Sequence, residues 1–172
     1  MNTTIIDYEN AWRRWMTDYN EGLGLVYERL ILNDFLEGLM RKHNIQTVLE
    51  APLYGMAGAS GINSVRFAQL GAHVTVVDVN EERLVQVRRL WDELGLLDRA
   101  EFIYVSDPSS FPFSNKSFDF VWNWAALWYL PNAILTLRDM ARVSKKLVFT
   151  AMPNRMQMGY LLRKYLLEKE FF

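Results

Sequence analysis

The sequence predicts an α/β protein: a doubly wound, mostly parallel sheet of about five strands flanked by helices. Two observations carry this. Short apolar, β-branched runs alternate with segments whose apolar residues recur at helical spacing. The connections between them are short, so successive strands join through helical crossovers, which are right-handed. No repeat or low-complexity linker interrupts the alternation.

The elements follow in order. Residues 1–25 carry Trp12, Trp15 and Tyr19 among polar side chains and read as irregular chain or short helix. Val26, Leu30, Ile31, Phe35, Leu36, Leu39 and Met40 then recur at helical spacing up to Arg41. "TVLE" (47–50) is a short buried strand, stopped at Ala51-Pro52 because proline cannot donate to a ladder. Residues 62–70 form a helix closed by Gly71 as a left-handed cap. "AHVTVVD" (72–78) is the second strand, and Asn80 caps a helix over 81–94 whose first turn holds Glu81 and Glu82. "AEFIYVS" (100–106) and "SFDFVWN" (117–123) are the third and fourth strands. Pro131-Asn132 opens a helix to about Arg142, "KKLVFTAM" (145–152) is the fifth strand, and residues 155–169 form a last helix. The organisation expected is an N-terminal helical or cap segment over 1–45 and a ligand-binding domain over 46–172, single overall.

Composition narrows the function. The 172 residues suffice for one domain with a real core. Basic and acidic residues number 19 and 20, and a net charge of -1 gives no sign of the basic face that nucleic acid requires. There is no cysteine, which removes disulfides and thiolate metal sites. "MNTTIIDYENAWRRW" lacks the apolar core of a signal peptide, and no window approaches the ~18 apolar residues of a membrane span. The expectation is a cytoplasmic protein with a small-molecule substrate and neither a nucleic-acid nor a membrane partner.

In doubly wound sheets, ligands bind beyond the carboxyl ends of the strands. The residues there are Glu50, Asp78, Ser106-Asp107, Asn123-Trp124 and Met152-Pro153. Asp78 can accept both ribose hydroxyls of an adenosine ligand, each bond worth roughly 1.5–3 kcal/mol; the plainer reading is a cap for the next helix. Glycines at 55, 58 and 61 follow the first strand, and Gly61 directly precedes the helix "INSVRFAQL", where it would let backbone approach a ligand. Glu50 would repel a pyrophosphate, which argues against NAD or FAD. It suits a cationic ligand such as the amino group and sulfonium of S-adenosylmethionine; the plainer reading is an acid bonded to loop amides. Asp107 can accept the adenine amine, with Ser106 nearby, although Asp-Pro also starts turns.

The ordered set "VLE" with its glycines, "GAHVTVVDVN", "VSDPSSFPFSNKSFDFVWNWAALWYL" and "KKLVFTAMPN" resembles the class I S-adenosylmethionine-dependent methyltransferases. The resemblance covers about residues 46–154 and implies a Rossmann-like domain that binds S-adenosylmethionine. It implies that Glu50, Gly55, Gly58 and Gly61 hold the methionine part. Asp78, with Val79 beside it, would hold the ribose, and Asp107 with Ser106 the adenine. Asn123 and Trp124 would line the pocket near the methyl group. Two departures stand out. The glycine loop carries about five extra residues. The family sheet also continues into a final antiparallel pair, whereas this chain stops at "EKEFF" after the fifth strand. An unpaired apolar edge would result. The expectation is that a C-terminal portion is absent, or that the last helix or a second subunit covers that edge.

Methyl transfer is an in-line displacement in which protein positions the reactants and excludes water. His43 and His73 read as structural or solvated, so no general base is assigned. Trp122 is expected in the core. Trp128 and Tyr129 could line an acceptor site or pack, and Tyr8, Trp12, Trp15 and Tyr19 could form a lid or pack. The function expected is methyl transfer to a small molecule; the alternative is a non-catalytic binding protein of the same fold.

Overall fold

Val48, Leu49, Val74, Val76, Val77, Phe120 and Val121 are all fully buried. Consecutive buried residues mean a sheet covered on both faces, as parallel sheets require. A computed structural model describes residues 19–53, 61–127 and 130–152, with side chains from residue 27 onward. Among the described residues its elements are α1 (Tyr19–His43), β1 (Thr47–Glu50), α2 (Val65–Gln69), β2 (His73–Asp78), α3 (Glu81–Glu93), a 3-10 turn (Leu97–Arg99), β3 (Ala100–Tyr104), β4 (Phe118–Trp124), α4 (Ala133–Val143) and β5 (Ser144–Ala151). The strands form one sheet in the order β3-β2-β1-β4-β5, every neighbouring pair parallel. The winding reverses between β1 and β4, which makes their carboxyl ends the switch point.

Alternation along each strand divides the core. Val48, Val74, Val76, Phe120 and Trp122 pack with Leu32 and Leu36 of α1, Phe67 of α2, and Val87 and Trp91 of α3. Leu49, Val77 and Val121 face the other way, onto Phe111 and onto Met140 and Val143 of α4. Phe67 meets Phe120 and Trp122 at ring-centroid distances of 5.4 and 6.0 Å.

The amino ends of the strands are latched by Asp119. Its Oδ2 accepts from the amides of Gln46 (3.0 Å) and Thr47 (3.2 Å), its own amide donates to Thr47 Oγ1, and its Oδ1 lies 3.2 Å from Lys146 Nζ. That ammonium also donates to the carbonyls of His43 and Asn44. One carboxylate thus ties the exit of α1 to β1, β4 and β5, which accounts for the Phe-Asp step of the fourth strand.

Several boundaries differ from expectation. Within the stretch expected to be irregular or short, residues 19–25 are helical. The buried line of α1 is Leu32 and Leu36, while Leu30, Ile31 and Phe35 are exposed. This helix is apolar on several sides, so its spacing alone leaves the inward face open; contact with the sheet selects it. The second helix covers only Val65–Gln69 because residues 62–64 turn to reach Glu50. β4 continues through Trp124. Gly71 has a φ of 96°, and Asn80 Oδ1 accepts from the Arg83 amide at 2.9 Å, both as expected of caps. Among the described residues β5 pairs with β4 alone, and no helix is long and apolar enough to cross a membrane. The helix expected over 155–169, Trp12, Trp15, Trp128 and Tyr129 lie outside the described residues, as do Tyr8 and Pro153.

Candidate functional site

Glu50 ends β1 at the switch point and is 1% exposed. Its Oε2 accepts from Ser64 Oγ at 2.6 Å and its Oε1 from Asn63 Nδ2 at 3.3 Å. Ser64 Oγ in turn accepts from Trp122 Nε1 (2.9 Å), and Asn63 Oδ1 accepts from Arg29 Nη2 (2.6 Å). The acid therefore bonds side chains at the far end of the glycine loop, and α1, β1, β4 and that loop end meet through it. Burial raises its pKa, while Ser64, Asn63 and the Arg29 charge pull it back.

Asp78 ends β2 with a fully buried side chain. Its Oδ1 accepts from the amides of Val79 (2.6 Å) and Asn80 (3.1 Å), and its Oδ2 accepts from Arg83 Nη1 at 3.0 Å. Arg83 Nη1 also donates to the Leu53 carbonyl, pinning the start of the glycine loop. Burial raises the Asp78 pKa against the Arg83 charge and the two amides. The carboxylate does organise the turn into α3, yet a carboxylate has about four lone-pair positions and retains capacity for a ligand.

Asp107 is exposed in the turn after β3, as is Ser106. Its Oδ1 accepts from the Ser109 amide (2.8 Å) and hydroxyl (2.6 Å), which hold its pKa down. In sheet order, Asp107, Asp78 and Glu50 follow the tips of β3, β2 and β1. Two inter-strand steps separate the first strand from the last, about 10 Å.

Residues 56–146, more than half of the chain, match a family described as "Methyltransferase domain". The chain belongs to this family. A malonyl-[acyl-carrier protein] O-methyltransferase of Erwinia billingiae is 29% identical over 134 residues, covering 78% of this chain and 47% of that protein. The [4+2]-cyclase SpnF superposes with a TM-score of 0.60 at 20% identity, over 74% of this chain and 47% of that one. A Pyrococcus horikoshii protein gives the same TM-score at 18% identity, over 84% and 62%. The chain thus spans about half the length of the first two relatives, and the two solved structures share its fold.

Within this methyltransferase domain the remaining expected residues fall as follows. Asn123 is buried at the tip of β4; its Nδ2 donates to the carbonyls of Ala51 (3.2 Å) and Pro52 (2.8 Å), and its Oδ1 accepts from the Ala126 amide (2.9 Å). Its side chain is committed to joining the exits of β1 and β4. Trp124 is half-buried, and its Nε1 donates to Glu28 Oε1 of α1 at 3.1 Å. Val79 is 39% exposed. Gly55 and Gly58 lie outside the described residues.

Gly61 has a packing reason to be glycine. Its φ is 77°, and a Cβ there would lie 2.3 Å from Val87 Cγ1 of α3. Its carbonyl accepts from Trp91 Nε1 at 3.0 Å. Close packing of the loop end on α3 sets the requirement.

Sequence reasoning missed Arg29, Asn63, Ser64 and Arg83. "GINS" marked a helix start, but nothing local tied it to Glu50. Arg29 did leave a signal: with Leu32 and Leu36 it continues an i, i+3, i+7 line, a cation on the buried stripe. The chemistry fits a nucleoside with a charged amino-acid tail: acids follow three adjacent strand tips, and Arg29 Nε and Nη1 are buried without a hydrogen-bond partner.

Proposed function

We propose that this domain binds S-adenosylmethionine across the tips of β1, β2 and β3 and directs its methyl group to a small-molecule acceptor. The observation that carries this reading is the row of Glu50, Asp78 and Asp107 along adjacent strands, in a chain of the methyltransferase domain family. When bound, the cofactor supplies a sulfonium-activated methyl carbon. Asp78 receives the ribose hydroxyls, and Asp107 with Ser106 lies towards the adenine. Glu50 supplies negative potential beneath the amino-acid end, and through Asn63 and Ser64 it holds the end of the glycine loop. Asn123 fixes the exits of β1 and β4 so that the pocket floor keeps its shape, and Trp124 offers an aromatic wall that tolerates a cation. Positioning and exclusion of water are what displacement at an activated carbon asks of a protein.

The acceptor class rests on composition: near-zero net charge offers no field for a polyanion. The Erwinia billingiae relative is named for O-methylation of malonyl-[acyl-carrier protein], so a malonyl thioester belongs in the acceptor panel beside free carboxylic acids and phenols. SpnF, of the same fold, is named for a cyclisation, and fold alone does not fix chemistry. The alternative reading, a binding protein without turnover, is therefore tested separately. Calorimetric titration with S-adenosylhomocysteine is expected to give saturable heat and a raised Tm; neither would sink the cofactor assignment. Transfer of labelled methyl to a panel member is expected next, and cofactor binding with no transfer to any of them favours the non-catalytic reading.

A further inference from the structure

The outer face of α1 is apolar where contact with water favours polar side chains. Tyr27, Leu30 and Ile31 are 69%, 60% and 52% exposed, on the side of the helix away from Leu32 and Leu36. Large apolar side chains exposed side by side mark a docking surface. Gly38 continues this face and is exposed as well; a Cβ there would meet nothing within 4 Å among the described residues. Glycine weakens a helix interior relative to alanine, and packing within the described chain does not ask for it. What it permits is the close approach of a second backbone.

The order of groups along the helix says what covers it. Leu30, Asp34, Glu37 and Arg41 recur at i, i+4, i+7 and i+11 and so form one line. The carboxyl end of that line borders an open cleft of about 680 Å³, whose walls include Met40, Ile45 and Leu70 beside Glu37 and Arg41. Apolar knobs thus stand at the amino end of the face and a partly apolar cleft at the other. The charges divide the same way: Asp34 comes first, and Arg41 and Lys42 follow. Neither Asp34 nor Lys42 has an ion-pair partner among the described residues. Gly38 lies midway, four residues from each. Knob and cleft, acid and base, lie on opposite sides of one glycine. A face built this way is complementary to itself turned end over end, which is what an isologous interface requires.

We infer that the outer face of α1 is the interface of a two-fold dimer between copies of this chain. The two helices cross antiparallel at Gly38. Leu30 of each copy, with Tyr27 one turn earlier, enters the cleft of the other, and Asp34 faces Lys42 of the partner subunit. Symmetry makes each of these contacts twice. The inference stands apart from the cofactor reading, because the face lies on the side of α1 turned away from the sheet.

Sedimentation velocity over a concentration series tests this, since a monomer–dimer equilibrium follows protomer concentration. Wild type is expected to pass from monomer to dimer as concentration rises. Leu30→Lys brings a cation to a cleft whose acid, Glu37, is already paired with Arg41 and Arg66. It is expected to weaken the dimer about 10-fold or more, the scale of losing a central contact. Lys42→Asp sets acid against acid at two places and is expected to weaken it similarly; adding Asp34→Lys to the same chain restores most of the affinity. Gly38→Gln is expected to weaken the dimer and yet to raise the Tm of the dilute monomer, because glutamine is the better helix former. Thermal unfolding shows that each variant is folded, and all of these positions are exposed. A wild type that stays monomeric throughout overturns the proposal, whether the face is covered from within its own chain or left bare. So does Leu30→Lys or Gly38→Gln dimerising as wild type does, or an exchanged charge pair that recovers nothing.

Discussion

The Ser64 hydroxyl donates to Glu50 across 2.6 Å, and the same oxygen accepts the indole N–H of Trp122 at 2.9 Å. All three residues are buried. Ser64→Ala leaves the indole donor unpaired in the interior and removes the hydroxyl donor from the carboxylate. The expected loss is about 1–3 kcal/mol per orphaned group. Urea unfolding followed by tryptophan fluorescence measures it; a midpoint equal to that of wild type would contradict the network's role.

Asp78 accepts two amides and a guanidinium N–H. Asp78→Ala therefore disturbs the turn into α3 as well as any ligand. Asp78→Asn keeps a neutral acceptor and is the cleaner probe. It is expected to weaken S-adenosylhomocysteine about 10- to 100-fold, as loss of charged hydrogen bonds implies, with a smaller drop in Tm than the alanine variant. Calorimetry and differential scanning read the two effects separately. Unchanged affinity in a folded Asp78→Asn protein would displace the ribose from this position.

Gly61→Ala is expected to act on stability before it acts on binding. A positive φ costs a residue with a Cβ about 1–2 kcal/mol, and forcing that Cβ into Val87 adds about 1–3 kcal/mol of overpacking. The pair Gly61→Ala with Val87→Ala relieves the clash and leaves the backbone cost. The double variant is therefore expected to melt higher than the sum of the single losses allows. Strict additivity would show that Val87 is not what the glycine avoids.

The Asp119 latch sets a pH dependence. Burial acts to raise the Asp119 pKa, but the Gln46 and Thr47 amides and Lys146 outweigh it and hold the pKa below the usual range. A depressed folded-state pKa contributes stability that is complete above the unfolded value, about 3.9, and is lost as pH falls through the folded value. Tm is thus expected to drop on acidification below about pH 4. Asp119→Ala should lower Tm at neutral pH and flatten that acid limb. Glu50 and Asp78, both raised by burial, act with the opposite sign. An acid limb of wild-type steepness in Asp119→Ala would show that other carboxylates carry the effect.

Local chemistry was enough to read the alternation of strands and helices, the caps at Gly71 and Asn80, and the placement of Glu50 and Asp78 at strand ends. Periodicity and turn residues act over a few positions, so they survive in the one-dimensional record. The inward face of α1 did not, because a helix apolar on several sides has no single face until a sheet meets it. Gly61 was legible as a special residue, but its contact with Val87, a crossover away, was not.

The sequence by itself determined that strands would end in carboxylates where a doubly wound sheet binds ligands, since burial pattern and residue order set both. Only the tertiary structure decided what those carboxylates touch. Ser64, Trp122 and, through Asn63, Arg29 reach Glu50 from a loop end, another strand and an earlier helix. Hydrogen bonds are short-ranged and directional, so which polar groups pair depends on where the backbone brings them in space, a distance that spacing along the chain does not encode.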